Sequence, residues 1–155
     1  MNKPTRILVV DDDEELRKSF AAILEDEGYI VDGAGSGQEA IEKTTRTSYN
    51  LAILDIRLPD MEGVDLLTLM KESVPRMRKI MVTGYPSLKN TIAALNNRAD
   101  FFFIKPVDIE ILLAVVREQL SQQEREMQSC NPKEPEKTIT LSVEDTIDVS
   151  ELVKE

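Results

Sequence analysis

The 155 residues are 41% hydrophobic and carry 19 basic against 29 acidic side chains, a formal net charge of -10. That is enough apolar material for one packed domain with an appendage, which excludes wholesale disorder; the acidic surface repels phosphate backbones and disfavours direct nucleic-acid binding. One cysteine, Cys130, and no histidine exclude an internal disulfide, a cysteine-rich zinc site and Ser-His-Asp or Cys-His catalysis. No apolar run reaches the length of a membrane span, and the first six residues lead straight into a strand pattern without a signal peptide, so the expectation is a soluble cytoplasmic protein with no membrane contact.

Residues 7–10 (ILVV) form a short apolar run that predicts a buried strand. Asp11, Asp12 and Asp13 follow it. One of the three is placed to cap a helix whose inward face carries Leu16, Phe20, Ile23 and Leu24. Glu14 and Glu15 suit the positive start of that helix, and Gly28 its end. Residues 29–31 predict a second, weaker strand. Ser36 with Glu39 three residues on has capping-box spacing, ahead of a helix with Ala40 and Ile41 inward. Residues 51–54 predict the third strand, ending at Asp55, and a loop over 57–63 contains Pro59 and Gly63. Val64, Leu67 and Val74 mark a third helix stopped by Pro75. Residues 80–82 predict the fourth strand, ending at Thr83, and Leu88, Ile92 and Leu95 then stand at helical spacing. Residues 101–104 predict the fifth strand, ending at Lys105 and Pro106. The last helix starts near Asp108, with Ile109, Leu112, Leu113, Val116 and Leu120 as its stripe.

Arg76, Arg78 and Lys79 read as a short solvated basic loop, and the acidic runs 124–126 and 134–136 as solvated charge. After Gln128 the character changes. Residues 130–137 contain Pro132 and Pro135 and read as a linker. Ile139, Leu141 and Val143 alternate with polar residues, and Val149, Leu152 and Val153 fit a short amphipathic turn. This tail is too short for a DNA-binding output domain. It reads as a loosely ordered extension, with a docking or dimerisation arm as the alternative.

Strand and helix alternate five times, the pattern of a doubly wound α/β domain with a parallel sheet and helices on both faces. Ligands in such folds bind outside the carboxyl ends of the strands. Asp11 and Asp12 follow the first strand there, Asp55 the third, Thr83 the fourth and Lys105 the fifth. With the first and third strands adjacent, three carboxylates converge and need a cation; hard oxygen donors without histidine favour Mg2+ over zinc. Lys105 adds a compact positive charge and Thr83 a hydroxyl donor, which together make a phosphoryl-transfer site. Singly, the run 11–13 reads equally well as a helix start, Asp55 as a turn aspartate and Thr83-Gly84 as a commonplace turn. Their coincidence at the strand ends is what carries weight.

Residues 7–13 (ILVVDDD), 51–63 (LAILDIRLPDMEG), 81–84 (MVTG) and 103–106 (FIKP) resemble the four signature stretches of response regulator receiver domains, in the family's order and near its spacing. The resemblance covers residues 5–125 and leaves 126–155 as a tail. It implies a flavodoxin-like strand order of 2-1-3-4-5. It also implies that Asp55 accepts a phosphoryl group from a sensor histidine kinase. Asp12 would be the direct Mg2+ ligand, Asp11 a neighbour acting through water, and the Arg57 carbonyl the remaining protein ligand. Lys105 and Thr83 would contact the phosphate. Phe102 matches the switch aromatic that moves inward with Thr83, Lys105–Pro106 is expected to be cis, and Arg57 and Tyr85 stand where the family tunes phosphate lifetime. Output is expected through protein–protein contact: a stand-alone receiver acting on a downstream protein or another regulator, or a homodimer through the fourth helix, fifth strand and fifth helix. Beyond weak self-phosphorylation and self-dephosphorylation, no enzyme activity is implied. Two competitors remain. A degenerate receiver acting as an interaction module would lack a key residue, and none is missing. An aspartate-nucleophile phosphatase would carry its nucleophile after the first strand, where Asp55 does not lie.

Overall fold

In a computed structural model, which describes residues 4–73, 75–84 and 87–129, the five apolar runs pair into one sheet. The elements in chain order are β1 (Arg6–Val10), α1 (Glu14–Asp26), β2 (Ile30–Ala34), α2 (Gly37–Arg46), β3 (Leu51–Asp55), α3 (Gly63–Leu69), β4 (Arg78–Thr83), α4 (Leu88–Asn96), β5 (Phe101–Ile104) and α5 (Ile109–Ser129). All neighbours are parallel, in the order β2-β1-β3-β4-β5. This is the doubly wound α/β arrangement expected. Chain direction across the sheet reverses between β1 and β3, the place where such folds open a crevice.

β1, β3 and β5 bury apolar side chains on both faces because helices cover both. Leu8, Val10, Ala52, Leu54, Met81 and Phe102 join Ala40, Leu66, Leu67 and Ala94, from α2, α3 and α4, in one core. Ile7, Val9, Leu51, Ile53, Phe101 and Phe103 join Phe20, Leu24, Leu112 and Val116, from α1 and α5, in the other. The period-two alternation of β5 therefore divides three consecutive phenylalanines between two cores. No helix among the described residues is long and apolar enough to cross a membrane.

Several local expectations need adjustment. β2 starts one residue later than expected and runs on to Ala34, pairing with β1 throughout. α3 ends at Leu69, well short of Val74, a residue outside those described. Where α3 ends, the Lys79 ammonium donates to the Leu67 carbonyl at 3.1 Å, the acceptor that the Lys71 amide would use if the helix continued. Ile92 is exposed on α4 while Thr91 and Ala94 are buried; the Leu88 and Leu95 side chains, Tyr85 and the whole tail from Cys130 lie outside the described residues.

The largest correction concerns the basic triplet. Arg78 and Lys79 are buried at the amino end of β4, and Arg76 is largely so. Arg76 and Arg78 belong to a polar network with α5, which Lys79 joins through its amide, while the Lys79 ammonium turns to Leu67 of α3 and to Glu72 at 3.1 Å. Arg76 holds Asp100 with both guanidinium nitrogens, at 3.0 and 2.7 Å, and the Lys79 amide adds a third donor at 2.8 Å. Arg78 stands 3.8 Å from Asp100 and forms an ion pair with Glu126, which is therefore not free solvated charge. Gln123 links the Asn50 and Arg76 carbonyls to α5. Buried basic side chains need counter-charges, and they are met here by Asp100 just before β5, Glu126 of α5 and, for Lys79, Glu72 after α3.

Candidate functional site

The three aspartates after β1 take three different roles. Asp13 is the N-cap of α1, accepting from the Leu16 amide at 3.2 Å. Asp11 is 4% exposed; its Oδ1 accepts from the Asp13 amide at 2.9 Å. Asp12 is exposed. Asp55, 8% exposed, ends β3 beside them, so that oxygens of Asp11, Asp12 and Asp55 all lie within 4.8 Å of one another. The β1–β3 register brings this about by pairing Val10 with Leu54, one residue before each acid.

From β5 comes the compensating charge. Lys105 Nζ donates to Asp55 Oδ2 at 3.1 Å and to Asp11 Oδ2 at 3.2 Å. Its backbone is fixed by a bond from its amide to the Thr83 carbonyl, 2.7 Å, and by the cis Lys105–Pro106 peptide. Burial works against the Lys105 charge, but the Asp55 hydrogen bond and charge, and then Asp11, carry its pKa above the ordinary lysine value. Burial pushes the Asp11 carboxyl up, reinforced by the Asp55 charge and only partly offset by the Asp13 amide and Lys105. The Lys105 ammonium thus bonds two of the three converging carboxylates, Asp55 and Asp11.

The loop after Asp55 folds back on it. The Arg57 amide donates to Asp55 Oδ1 at 3.3 Å, and Arg57 bridges to Glu62 across the loop. Gly63 closes the loop: a Cβ there would stand 2.1 Å from the Asp55 carbonyl oxygen, so no other residue fits without backbone movement. Thr83 is fully buried at the end of β4, one strand from Asp55. Phe102 is not in the crevice; it is buried in the core with Met81 and Ala94.

Two participants escaped sequence reading. Asp60 accepts from the Gly37 and Gln38 amides, both at 2.9 Å, tying the loop to the start of α2. Those amides hold its carboxyl below the usual range. Arg17 donates to the Asp11 carbonyl at 2.7 Å. Neither has a local sequence signal, since each partner comes from another turn or element. Glu39, expected to complete a capping box, instead accepts from the Gly35 amide, one residue before the Ser36 cap.

Carboxylate oxygens alone, without imidazole or thiolate, suit a hard divalent cation. A carboxylate beside such a cation and an ammonium is equipped to act as a nucleophile toward a phosphoryl group.

The family model for the response regulator receiver domain matches residues 7–117. A receiver domain protein of the CheY-like type from Methanospirillum hungatei is 45% identical with a TM-score of 0.75, covering 80% of this chain and 99% of that one. A Burkholderia pseudomallei response regulator, solved with a phosphorylated aspartic acid, calcium ion and citrate, is 28% identical with a TM-score of 0.66, over 83% of this chain and 75% of that one. Among curated proteins, the transcriptional regulatory protein GlrR of Escherichia coli is 34% identical over 121 residues, 78% of this chain and 27% of GlrR. This chain spans between 27% and 54% of the length of the curated relatives GlrR, TrcR and ArlR.

Proposed function

The chain belongs to the response regulator receiver domain family, and from that premise we propose that it is a switch thrown by phosphorylation of Asp55. The observation that carries this reading is the Lys105 ammonium bridging Asp55 and Asp11 at the carboxyl edge of the sheet. A phosphohistidine on a sensor kinase is the donor that membership of this family suggests. An Asp55 oxygen forms a P–O bond as the donor P–N bond breaks, and the imidazole leaves with a proton. Asp11, Asp12, Asp55 and the Arg57 carbonyl would hold Mg2+, which when bound neutralises charge on the phosphoryl oxygens. Lys105 then turns from the carboxylate to a phosphate oxygen, and the Thr83 hydroxyl supplies a donor. The solved Burkholderia relative, with its phosphorylated aspartic acid and calcium ion, supports this assignment of chemistry.

Phosphorylation adds about two negative charges and strong acceptors at Asp55. Thr83 and Lys105 bind that state better than the bare one, which biases the segment after β4 and shifts the population. Phe102, in the core beneath α4, is the residue through which the shift reaches the α4–β5–α5 face. That face contacts a downstream protein, another regulator or a second copy of the chain. Residues 5–125 constitute the receiver and 126–155 an appendage to it. The chain turns over no outside substrate, contacts no nucleic acid directly, and works in the cytoplasm.

The test is intact mass after incubation with Mg2+ and acetyl phosphate, beside Asp55→Asn. One added phosphoryl group, absent in the variant and with chelator, is the expected result. No added group, while a control receiver is modified, would leave only an interaction role.

A further inference from the structure

A second cation stands beside the acidic crevice, and the phosphoryl chemistry does not use it. Arg17 reaches back from α1 and its Nη1 donates to the Asp11 carbonyl oxygen at 2.7 Å. The route is shaped for it. A Cβ at Gly33 would lie 3.0 Å from Arg17 Cδ and 3.2 Å from Nε, and a Cβ at Gly35 would lie 3.4 Å from Nη1. Gly33 in β2 thus leaves the slot in which the arginine lies, while at Gly35 a Cβ would make ordinary contact with it.

That carbonyl belongs to the peptide joining Asp11 to Asp12. The groups on either side of it are already tied. The Asp11 amide donates to Ala34 O at 3.1 Å, the Asp11 carboxylate accepts from the Asp13 amide, and the Asp13 carboxylate caps α1. Arg17 fixes the remaining peptide plane, and with it the direction in which the exposed Asp12 side chain leaves the backbone. We propose that Arg17 is a positioning residue that aims Asp12 into the crevice and so raises affinity for a divalent cation, despite its own positive charge.

This rests on the reading of the crevice as a Mg2+ site, and the two can fail separately. Charge and position also act with opposite sign. As a point charge near three carboxylates, Arg17 weakens cation binding, so its removal should tighten it. As a positioning residue it strengthens binding, and removal should weaken it, by about 10-fold on the scale of outer-shell partners. The experiment is calorimetric titration of the whole chain with Mg2+, with amide shifts of Asp12 and Asp13 recorded in metal-free protein. Arg17→Met and Arg17→Gln both remove the bond and the charge, so either decides the matter if the other fails to fold. Both are expected to bind Mg2+ about 10-fold more weakly, with the Asp12 amide shifted before any metal is added. Arg17→Lys, which keeps the charge and a donor, should recover part of the loss. Equal or tighter binding in Arg17→Met or Arg17→Gln overturns the proposal. A wild-type chain that binds no Mg2+ overturns the reading of the crevice instead.

Discussion

The two edges of one sheet handle buried charge in opposite ways. At the amino edge Asp100 receives three hydrogen bonds, two from Arg76 and one from the Lys79 amide, with Arg78 close by. Two guanidinium groups are met there by two carboxylates, Asp100 and Glu126, the second of them from α5. At the carboxyl edge like charges gather instead: three carboxylates converge, and the Lys105 ammonium bonds two of them. Charges paired with opposite charges rigidify a structure, whereas a cluster of like charges favours a ligand of opposite sign. The edge where like charges gather is the one suited to a ligand, although both edges contain a buried aspartate met by a basic side chain.

The comparison is broken most severely at the amino edge. Asp100→Ala removes the acceptor shared by the Arg76 guanidinium and the Lys79 amide, leaves Arg76 without its carboxylate, and leaves Glu126 as the counter-charge of the fully buried Arg78. Breaking a buried pair from one side costs about 3–5 kcal/mol. Urea unfolding should show that loss as a lower midpoint at unchanged slope; a loss under 1 kcal/mol would mean water already meets the guanidinium. Next in size is Gly63→Ala. Its Cβ would meet the Asp55 carbonyl oxygen at 2.1 Å, so the loop must move, at about 1–3 kcal/mol for overpacking. Because that carbonyl belongs to Asp55, phosphorylation by acetyl phosphate should slow as well. A variant that loses stability but is phosphorylated at the wild-type rate would show the loop to be decoupled from the acceptor.

The carboxyl edge was legible in the sequence because its residues stand at strand ends, and strands announce themselves by apolar runs. Asp11, Asp12, Asp55, Thr83 and Lys105 could be placed on one crevice once the alternation of elements was seen. The amino edge was misread. Arg76, Arg78 and Lys79 form a charged triplet, and nothing local says that α5 continues over them with Gln123 and Glu126 facing in. The end of α3 was missed for the same reason, since the Lys79 ammonium that takes the Leu67 carbonyl comes from another element. Arg17 and Asp60 are likewise invisible to local pattern, because their acceptors and donors are backbone groups brought near only by folding.

A smaller effect sharpens the contrast by its sign. Burial and the Asp55 charge raise the Asp11 pKa above its unfolded value, so the folded state binds that proton more tightly. Its contribution to stability is then fully present below the unfolded value of 3.8 and is lost as pH rises through the folded pKa. Asp11→Asn keeps the acceptor for the Asp13 amide and removes one of the mutually repelling charges. In chelator at neutral pH it should be more stable by about 1 kcal/mol, while losing Mg2+ binding. The stability difference should shrink as pH falls toward 4 in thermal melts. Removing a carboxylate thus stabilises the carboxyl edge and destabilises the amino edge; a loss of stability in both would erase the distinction.

The smallest effect lies at two helix ends that share one design. After α1 the Tyr29 amide returns to the Leu24 carbonyl at 3.3 Å across Gly28, whose φ is +97°. After α4 the Ala99 amide returns to the Ala94 carbonyl at 2.9 Å across Arg98, with φ +70°. Both are left-handed C-terminal turns, and glycine enters that region without the Cβ penalty of about 1–2 kcal/mol. Against this, glycine gives the unfolded chain more freedom, worth about 0.5–1 kcal/mol. Arg98→Gly should therefore stabilise by about 0.5 kcal/mol, and Gly28→Ala should destabilise by a similar amount, since a Cβ at Gly28 meets nothing within 4 Å. Urea midpoints measured side by side would show the two shifts as mirror images. If Arg98→Gly is instead destabilising, the Arg98 side chain holds the turn before Asp100, and the amino edge extends one residue further than its hydrogen bonds indicate.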